Sequence, residues 1–208
     1  MKKKSVSQKK VGFEIVLVGR SNVGKSSLVR ELTGRKIKVG KRPGVTLKPK
    51  HVHLCDMLVT DLPGFGFMSG VKERKQDIVK DQIVRYIEEN DERINVAVFV
   101  LDGGSFIDVV DRWVAKNEIP IDVEIFDLLN ELGIDTIVAV NKMDRINAQD
   151  RDAVLDGITE RLGLFPPWRQ WKNMIAPVSA KKGNMENLEY LLRERLHAAK
   201  RDDLFKYI

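Results

Sequence analysis

Gly19-Arg20-Ser21-Asn22-Val23-Gly24-Lys25-Ser26-Ser27 (GRSNVGKSS, residues 19–27) decides how this chain is read. Gly19, Gly24, Lys25 and Ser26 match G-x-x-x-x-G-K-[ST], a loop that wraps phosphate groups. The apolar run Ile15-Val16-Leu17-Val18 before it predicts a buried strand. Leu28, Val29 and Leu32 after it, at helical spacing and closed by Gly34, predict a helix. In that setting the glycines let backbone N–H groups turn toward phosphate oxygens. The helix start adds unpaired donors and the positive end of its dipole. Lys25 is the expected counter-charge of the outer phosphates, and Ser26 the expected hydroxyl ligand of Mg²⁺. A plain glycine turn before an ordinary helix is the alternative, and the strand–loop–helix setting weighs against it.

Further along, other motifs fall at the ends of predicted strands. Asp61-Leu62-Pro63-Gly64 fits D-x-x-G after the apolar MLVTD segment (57–61). Its aspartate suits Mg²⁺ held through water, and its glycine can bring an N–H close to a terminal phosphate. Asn141-Lys142-Met143-Asp144 fits N-K-x-D after DTIVAVN (135–141). A carboxylate at Asp144 can accept two parallel hydrogen bonds from the ring N–H and exocyclic amine of guanine, a donor pair adenine lacks. Asn141 and Lys142 would brace that loop and cover the base. Val178-Ser179-Ala180 closes the last predicted strand, MIAPVSA (174–180), and the Ala180 N–H is a candidate donor to the guanine carbonyl. Thr46, with Gly44 just before it, sits in a long loop (35–49) as the one hydroxyl residue between Thr33 and Thr60. A hydroxyl there can reach both Mg²⁺ and the terminal phosphate and so sense hydrolysis.

The remaining segments complete an alternation. A strand at 12–18 and a helix at 25–33 are followed by a hairpin of HVHLCD and MLVTD. Next come a helix at 76–90, a buried strand INVAVFVLD (94–102) and a less regular stretch at 103–120. A helix carrying Ile125, Leu128, Leu129 and Leu132 precedes the 135–141 strand, and one carrying Val154, Leu155, Ile158 and Leu162 follows it. A last helix at 184–199 has Asn184 as candidate cap. This order predicts an α/β fold in three layers, a mostly parallel sheet with helices on both faces, which binds ligands beyond the carboxyl ends of its strands. We expect a basic tail at 1–10, one domain at 11–200 and a C-terminal tail at 201–208.

The 208 residues are 43% hydrophobic and 32% charged, which argues for a globular domain rather than a disordered chain. No apolar stretch approaches a membrane span, and MKKKSVSQKK leads into no signal-peptide core. One cysteine, Cys55, excludes an internal disulfide, so a reducing cytoplasm is the expected location. Net charge is +6. It gathers in Lys2, Lys3, Lys4, Lys9 and Lys10 and again in Arg35, Lys36, Lys38, Lys41, Arg42, Lys48 and Lys50, where a polyanion such as RNA would dock. A solvated tail and a lysine-rich loop are the bland reading of the same residues.

In this order, GRSNVGKSSL, PGVT, DLPGFGF, NKMD and VSAKKG resemble the EngB-type GTP-binding proteins of ribosome biogenesis, within the GTPase superfamily. The resemblance covers about residues 12–198, and the run from Asp61 to Phe67 is its most specific part. It implies a GTPase acting in assembly of the large ribosomal subunit, with its precursor and rRNA as partners. It also implies a mixed six-stranded sheet with one early antiparallel strand. Bacterial members commonly carry threonine where Asn141 stands. The expected contacts to GTP or GDP therefore span Gly19, Arg20, Ser21, Asn22, Val23, Gly24, Lys25, Ser26 and Ser27. They continue through Gly44, Thr46, Asp61, Leu62, Pro63, Gly64, Asn141, Lys142, Met143, Asp144, Val178, Ser179 and Ala180. Lys25, Thr46 and Gly64 would act in hydrolysis, and Ser26, Thr46 and Asp61 would serve Mg²⁺.

Phe65 stands where many signalling GTPases have a water-orienting glutamine, so slow intrinsic hydrolysis is expected. Asn22 is a candidate for helping to hold K⁺ as an electrostatic stabiliser, and the ribosomal particle is the other candidate stimulus. No membrane contact and a monomer are expected. His51 and His53 point one way from a strand but lack an evident third metal ligand, so they read as solvent-facing. Trp168 and Trp171, beside Pro166-Pro167, read as packing a loop against the last strand, with RNA stacking the alternative. Two other readings of the whole chain stay open here. One is an RNA-binding module with nucleotide as a structural ligand; the other is a regulatory GTPase with protein partners only.

Overall fold

Phe13–Val18 forms strand β1, and all six of its residues are buried. Such a run fits a central strand covered on both faces, where no polar alternation is needed. In this computed structural model residues 11–35, 48–66 and 73–208 are described. The tail 1–10, most of the 35–49 loop with Gly44 and Thr46, and Phe67–Gly70 lie outside the described residues. After β1 come α1 (Lys25–Thr33), β2 (Lys50–Leu54), β3 (Met57–Asp61), α2 (Glu73–Glu88), β4 (Ile94–Asp102), α3 (Phe106–Val114) and α4 (Ile121–Glu131). The second half adds β5 (Thr136–Asn141), α5 (Arg151–Arg161), β6 (Ile175–Pro177) and α6 (Glu186–Ala198).

The sheet runs β2-β3-β1-β4-β5-β6. Only the β2–β3 pair is antiparallel among these strands; β1 pairs parallel with β3 and β4, and β4–β5 and β5–β6 are parallel. This is the mixed six-stranded sheet expected. Side chains alternate between its faces. Phe13, Ile15 and Leu17 enter a core with Leu28, Val29 and Leu32 of α1 and Leu188, Leu191, Leu192 and Leu196 of α6. Val16 and Val18 enter the opposite core with Val79, Ile83 and Ile87 of α2, Ile125, Phe126 and Leu129 of α4, and Leu155 and Ile158 of α5.

Four local expectations change. The stretch 103–120 contains a regular helix, α3, because Phe106 and Val110, one turn apart, both bury against the sheet. Asn184 does not cap α6, which starts at Glu186. Its backbone instead pairs with Ser179, donating to its carbonyl at 3.1 Å and accepting its N–H at 2.9 Å, so the loop after β6 closes on itself. Residues 201–208 are no tail. Asp202–Tyr207 forms a 3-10 helix whose Leu204 is wholly buried in the α1–α6 core, and Arg201 pairs with Asp56 at 2.7 Å. Trp168 bonds α5 rather than the last strand: its indole N–H reaches Asp152 at 2.8 Å and its backbone N–H reaches Asp156 at 2.6 Å.

Candidate functional site

Because β1, β3, β4, β5 and β6 run in one direction, their carboxyl ends share an edge. The loop 19–24 leaves β1 there, Asp61 ends β3, Asp102 and Asn141 end β4 and β5 in register, and Val178–Ala180 follow β6. The sequence motifs are thus gathered by strand direction alone. β1 lies between β3 and β4, reached from opposite sides, which opens the crevice beyond its end.

In the phosphate loop Lys25 is buried, and its ammonium donates to the carbonyls of Gly19 at 2.7 Å and Arg20 at 2.8 Å. Burial lowers its pKa to about 8, opposed by the nearby charges of Asp61 and Asp122. Ser26 Oγ donates to Asp61 Oδ2 at 2.5 Å. Asp61 Oδ1 is buried with no hydrogen-bond partner among the described residues. A hydroxyl and an orphaned carboxylate oxygen side by side are the hard donors Mg²⁺ takes when phosphates supply its other ligands, so the residues fit that ion. Ser21 spans to the D-x-x-G turn. Its N–H reaches the Phe65 carbonyl and its hydroxyl the Gly64 carbonyl, both at 2.9 Å. Leu62 and Phe65 are buried, and the Leu62 N–H bonds the Leu17 carbonyl, which anchors this turn to β1.

At the end of β5, Asn141 joins three segments. Its Nδ2 donates to the Val23 carbonyl at 2.8 Å, and its Oδ1 accepts the Ala180 N–H at 3.1 Å. Gly24 has a left-handed backbone, and a Cβ there would lie 2.3 Å from Asn141 Nδ2, so only glycine lets the two loops touch. The Lys142 ammonium donates to the Asn22 carbonyl at 2.7 Å and to Asp102 at 2.5 Å. Ser179 Oγ donates to Asp144 Oδ1 at 2.6 Å, and this bond lowers the Asp144 pKa. Met143 is buried and its N–H bonds the Val178 carbonyl, tying the N-K-x-D loop to the loop after β6. The Ala180 N–H, a candidate donor to the base, is here engaged by Asn141.

Two carboxylates escaped the sequence reading. Asp102, partner of Lys142, had one available signal: it ends a buried strand, as Asp61 and Asn141 do. Asp122 had none; it binds Arg20 from 102 residues away. Arg20, expected among the nucleotide contacts, turns its side chain to that partner and borders the phosphate loop through its backbone.

A phosphate-binding loop and an N-K-x-D loop braced together at one sheet edge put the chain among the phosphate-loop GTPases, enzymes that hydrolyse GTP. Within that class it belongs to the family described as 50S ribosome-binding GTPase, whose model matches residues 14–142, and is of the EngB type. A probable GTP-binding protein EngB of Methanosarcina mazei is 61% identical over 205 residues, covering 99% of this chain and 98% of the relative. The crystal structure of a probable GTP-binding protein engB superposes with a TM-score of 0.79 at 43% identity, covering 89% of this chain and 99% of that one. Era, crystallised with MgGDPNP and a segment of 16S ribosomal RNA, shares the fold at a TM-score of 0.60 and 24% identity, over 89% of this chain and 56% of its own.

Proposed function

We propose that this protein is a GTP-driven switch in assembly of the large ribosomal subunit, with precursor rRNA as its macromolecular partner. The observation that carries its nucleotide part is the Asn141 side chain, which bonds the phosphate loop and the Ala180 loop at once. Phosphate and base contacts then act as one unit. The ribosomal part draws support from the family's description as ribosome-binding and from the basic segments at 1–10 and 35–50.

In this reading GTP lies along the strand-end edge. Backbone N–H groups of the Gly19–Ser27 loop, apart from those of Ser21 and Ser27, which bond Phe65 and Gly24, take the phosphates together with the Lys25 ammonium. Asp144 takes the guanine N–H and amine, Asn141 and Lys142 brace that loop, and Ser179 holds the Asp144 carboxylate by a hydrogen bond. Ser26 and Asp61, with Thr46, would hold Mg²⁺, which neutralises charge on the phosphate oxygens. Water attacks the terminal phosphorus, the bond to the bridging oxygen breaks, and GDP and phosphate leave. The Gly64 N–H meets the transferring group. Phe65 has no donor or acceptor to orient that water, so turnover is slow without a stimulus. Asn22 has a left-handed backbone, and its exposed side chain is offered at the phosphate loop as a K⁺ ligand. The protein works as a cytoplasmic monomer; among the described residues no helix is long and apolar enough to cross a membrane.

Sedimentation tests the proposal. With a non-hydrolysable GTP analogue the protein should travel with large-subunit precursors on a sucrose gradient, and with GDP it should stay at the top. Equal distribution with both nucleotides, or co-migration only with the small subunit, would overturn it.

A further inference from the structure

The Arg20 side chain leaves the phosphate loop for α4, an element that supplies nothing else to the site. Its Nη1 donates to Asp122 Oδ2 at 2.5 Å. Asp122 lies in the first turn of α4 and is wholly buried, and its Oδ1 has no hydrogen-bond partner among the described residues. Burial raises its carboxyl above the usual pKa, and the charges of Arg20 and Lys25 oppose that rise. A buried ion pair of this kind is weak evidence for stability, because desolvation cancels much of the attraction. What the pair does is aim a guanidinium.

That guanidinium is the support under the D-x-x-G turn. It lies 5.9 Å from the centroid of the Phe65 ring. Gly66 rests on it so closely that a Cβ would come within 2.7 Å of Arg20 Nη2. The backbones of Arg20 and Phe65 pair as a bridge. Gly64 is pressed equally hard on the next loop residue, where a Cβ would lie 2.7 Å from Ser21 Cα. The turn bearing the Gly64 N–H is therefore held by Ser21 through its N–H and its hydroxyl, and by Arg20 through its backbone and its side chain.

We propose that Asp122 is a positioning residue for GTP hydrolysis: through Arg20 it holds Phe65 and Gly66, and so sets where the Gly64 N–H meets the terminal phosphate. GDP has no such phosphate and is indifferent to this placement. A displacement of about 1 Å at a reacting centre can cost on the order of a hundredfold in rate. The proposal rests on GTP hydrolysis alone and stands whether or not the ribosomal role holds.

The test compares the full-length wild type with Arg20→Met/Asp122→Leu, Gly66→Ala and all three changes combined. Single-turnover hydrolysis, fluorescent GDP binding and thermal melting are measured for each. The apolar pair should melt near the wild type, since such replacements are often neutral, and should bind GDP within about threefold. Its rate should fall roughly ten- to a hundredfold. Gly66→Ala keeps the ion pair but strains the left-handed backbone of the turn as well as crowding the guanidinium, so it serves as the reference for a displaced turn: the apolar pair should lose hydrolysis in the same way, and the combined variant little more. Full hydrolysis by a folded apolar pair overturns the proposal. So does a loss of GDP affinity as large as the loss of rate, which would mean that the pair only shapes the phosphate loop. If the apolar pair does not fold, Asp122→Leu alone decides, since it removes the anchor and leaves the partly exposed Arg20 to turn to water: an unchanged rate overturns the proposal and a loss of hydrolysis with GDP affinity kept supports it.

Discussion

Truncating Asn141 should cost stability and nucleotide affinity together, and the structure sets the size of both. Asn141 is 3% exposed and makes two hydrogen bonds, to the Val23 carbonyl and from the Ala180 N–H. In Asn141→Ala both backbone groups lose their partner in a closed environment. Leaving a buried polar group unmade costs about 1–3 kcal/mol, so the pair together should cost about 2–6 kcal/mol. For a domain of this length that lowers Tm by about 4–24 °C. Asn141→Thr keeps a single hydroxyl, which can serve one of the two groups, so about half the loss should return. Urea unfolding of the nucleotide-free protein is the assay, with an unchanged m-value as the sign that the two end states are the same. GDP and GTP affinity should fall in step, because Asn141 joins the phosphate and base loops without touching the terminal phosphate. A stability loss below about 1 kcal/mol would refute the bracing role, since one unmade buried bond already exceeds it. A loss restricted to GTP would refute the shared frame.

Base choice, protonation and cation dependence supply the remaining predictions. Asp144→Asn should weaken GTP binding at least about a hundredfold and favour xanthosine nucleotides, whose carbonyl replaces the guanine amine; unchanged base preference in a competition assay would contradict the pocket. Lys25, with its pKa lowered to about 8 by burial, is harder to keep charged when folded than when unfolded. The unfolded chain then binds more protons between that value and the ordinary lysine range, so stability of the nucleotide-free protein rises with pH there. Between pH 7.5 and 10 the wild type should gain about 2 kcal/mol relative to Lys25→Met, read from paired urea midpoints, and a constant difference would count against it. Hydrolysis should be faster in K⁺ than in Na⁺ and lose that preference in Asn22→Ala; equal rates in the two salts would remove the cation from the mechanism.

What the sequence determined by itself is whatever lies within a few residues of chain. The strand–loop–helix around Gly19–Ser27, the D-x-x-G turn and the N-K-x-D loop each place their own donors and acceptors, and their meeting follows from parallel strands that end on one edge. The way β1 side chains alternate between the two cores is equally local, since side chains leave a strand on opposite faces. Tertiary structure decided the rest. Leu204 reads as part of a polar tail until the α1–α6 core closes over it. Asn184 has the composition of a cap, yet its backbone is taken by Ser179. Arg20 carries no mark of its partner, because nothing in residues 19–27 says that the first turn of α4 will lie beside them. Periodicity and motif spacing report on neighbours along the chain. A contact between distant segments depends on how helices seat on the sheet, and no short stretch of chain contains that information.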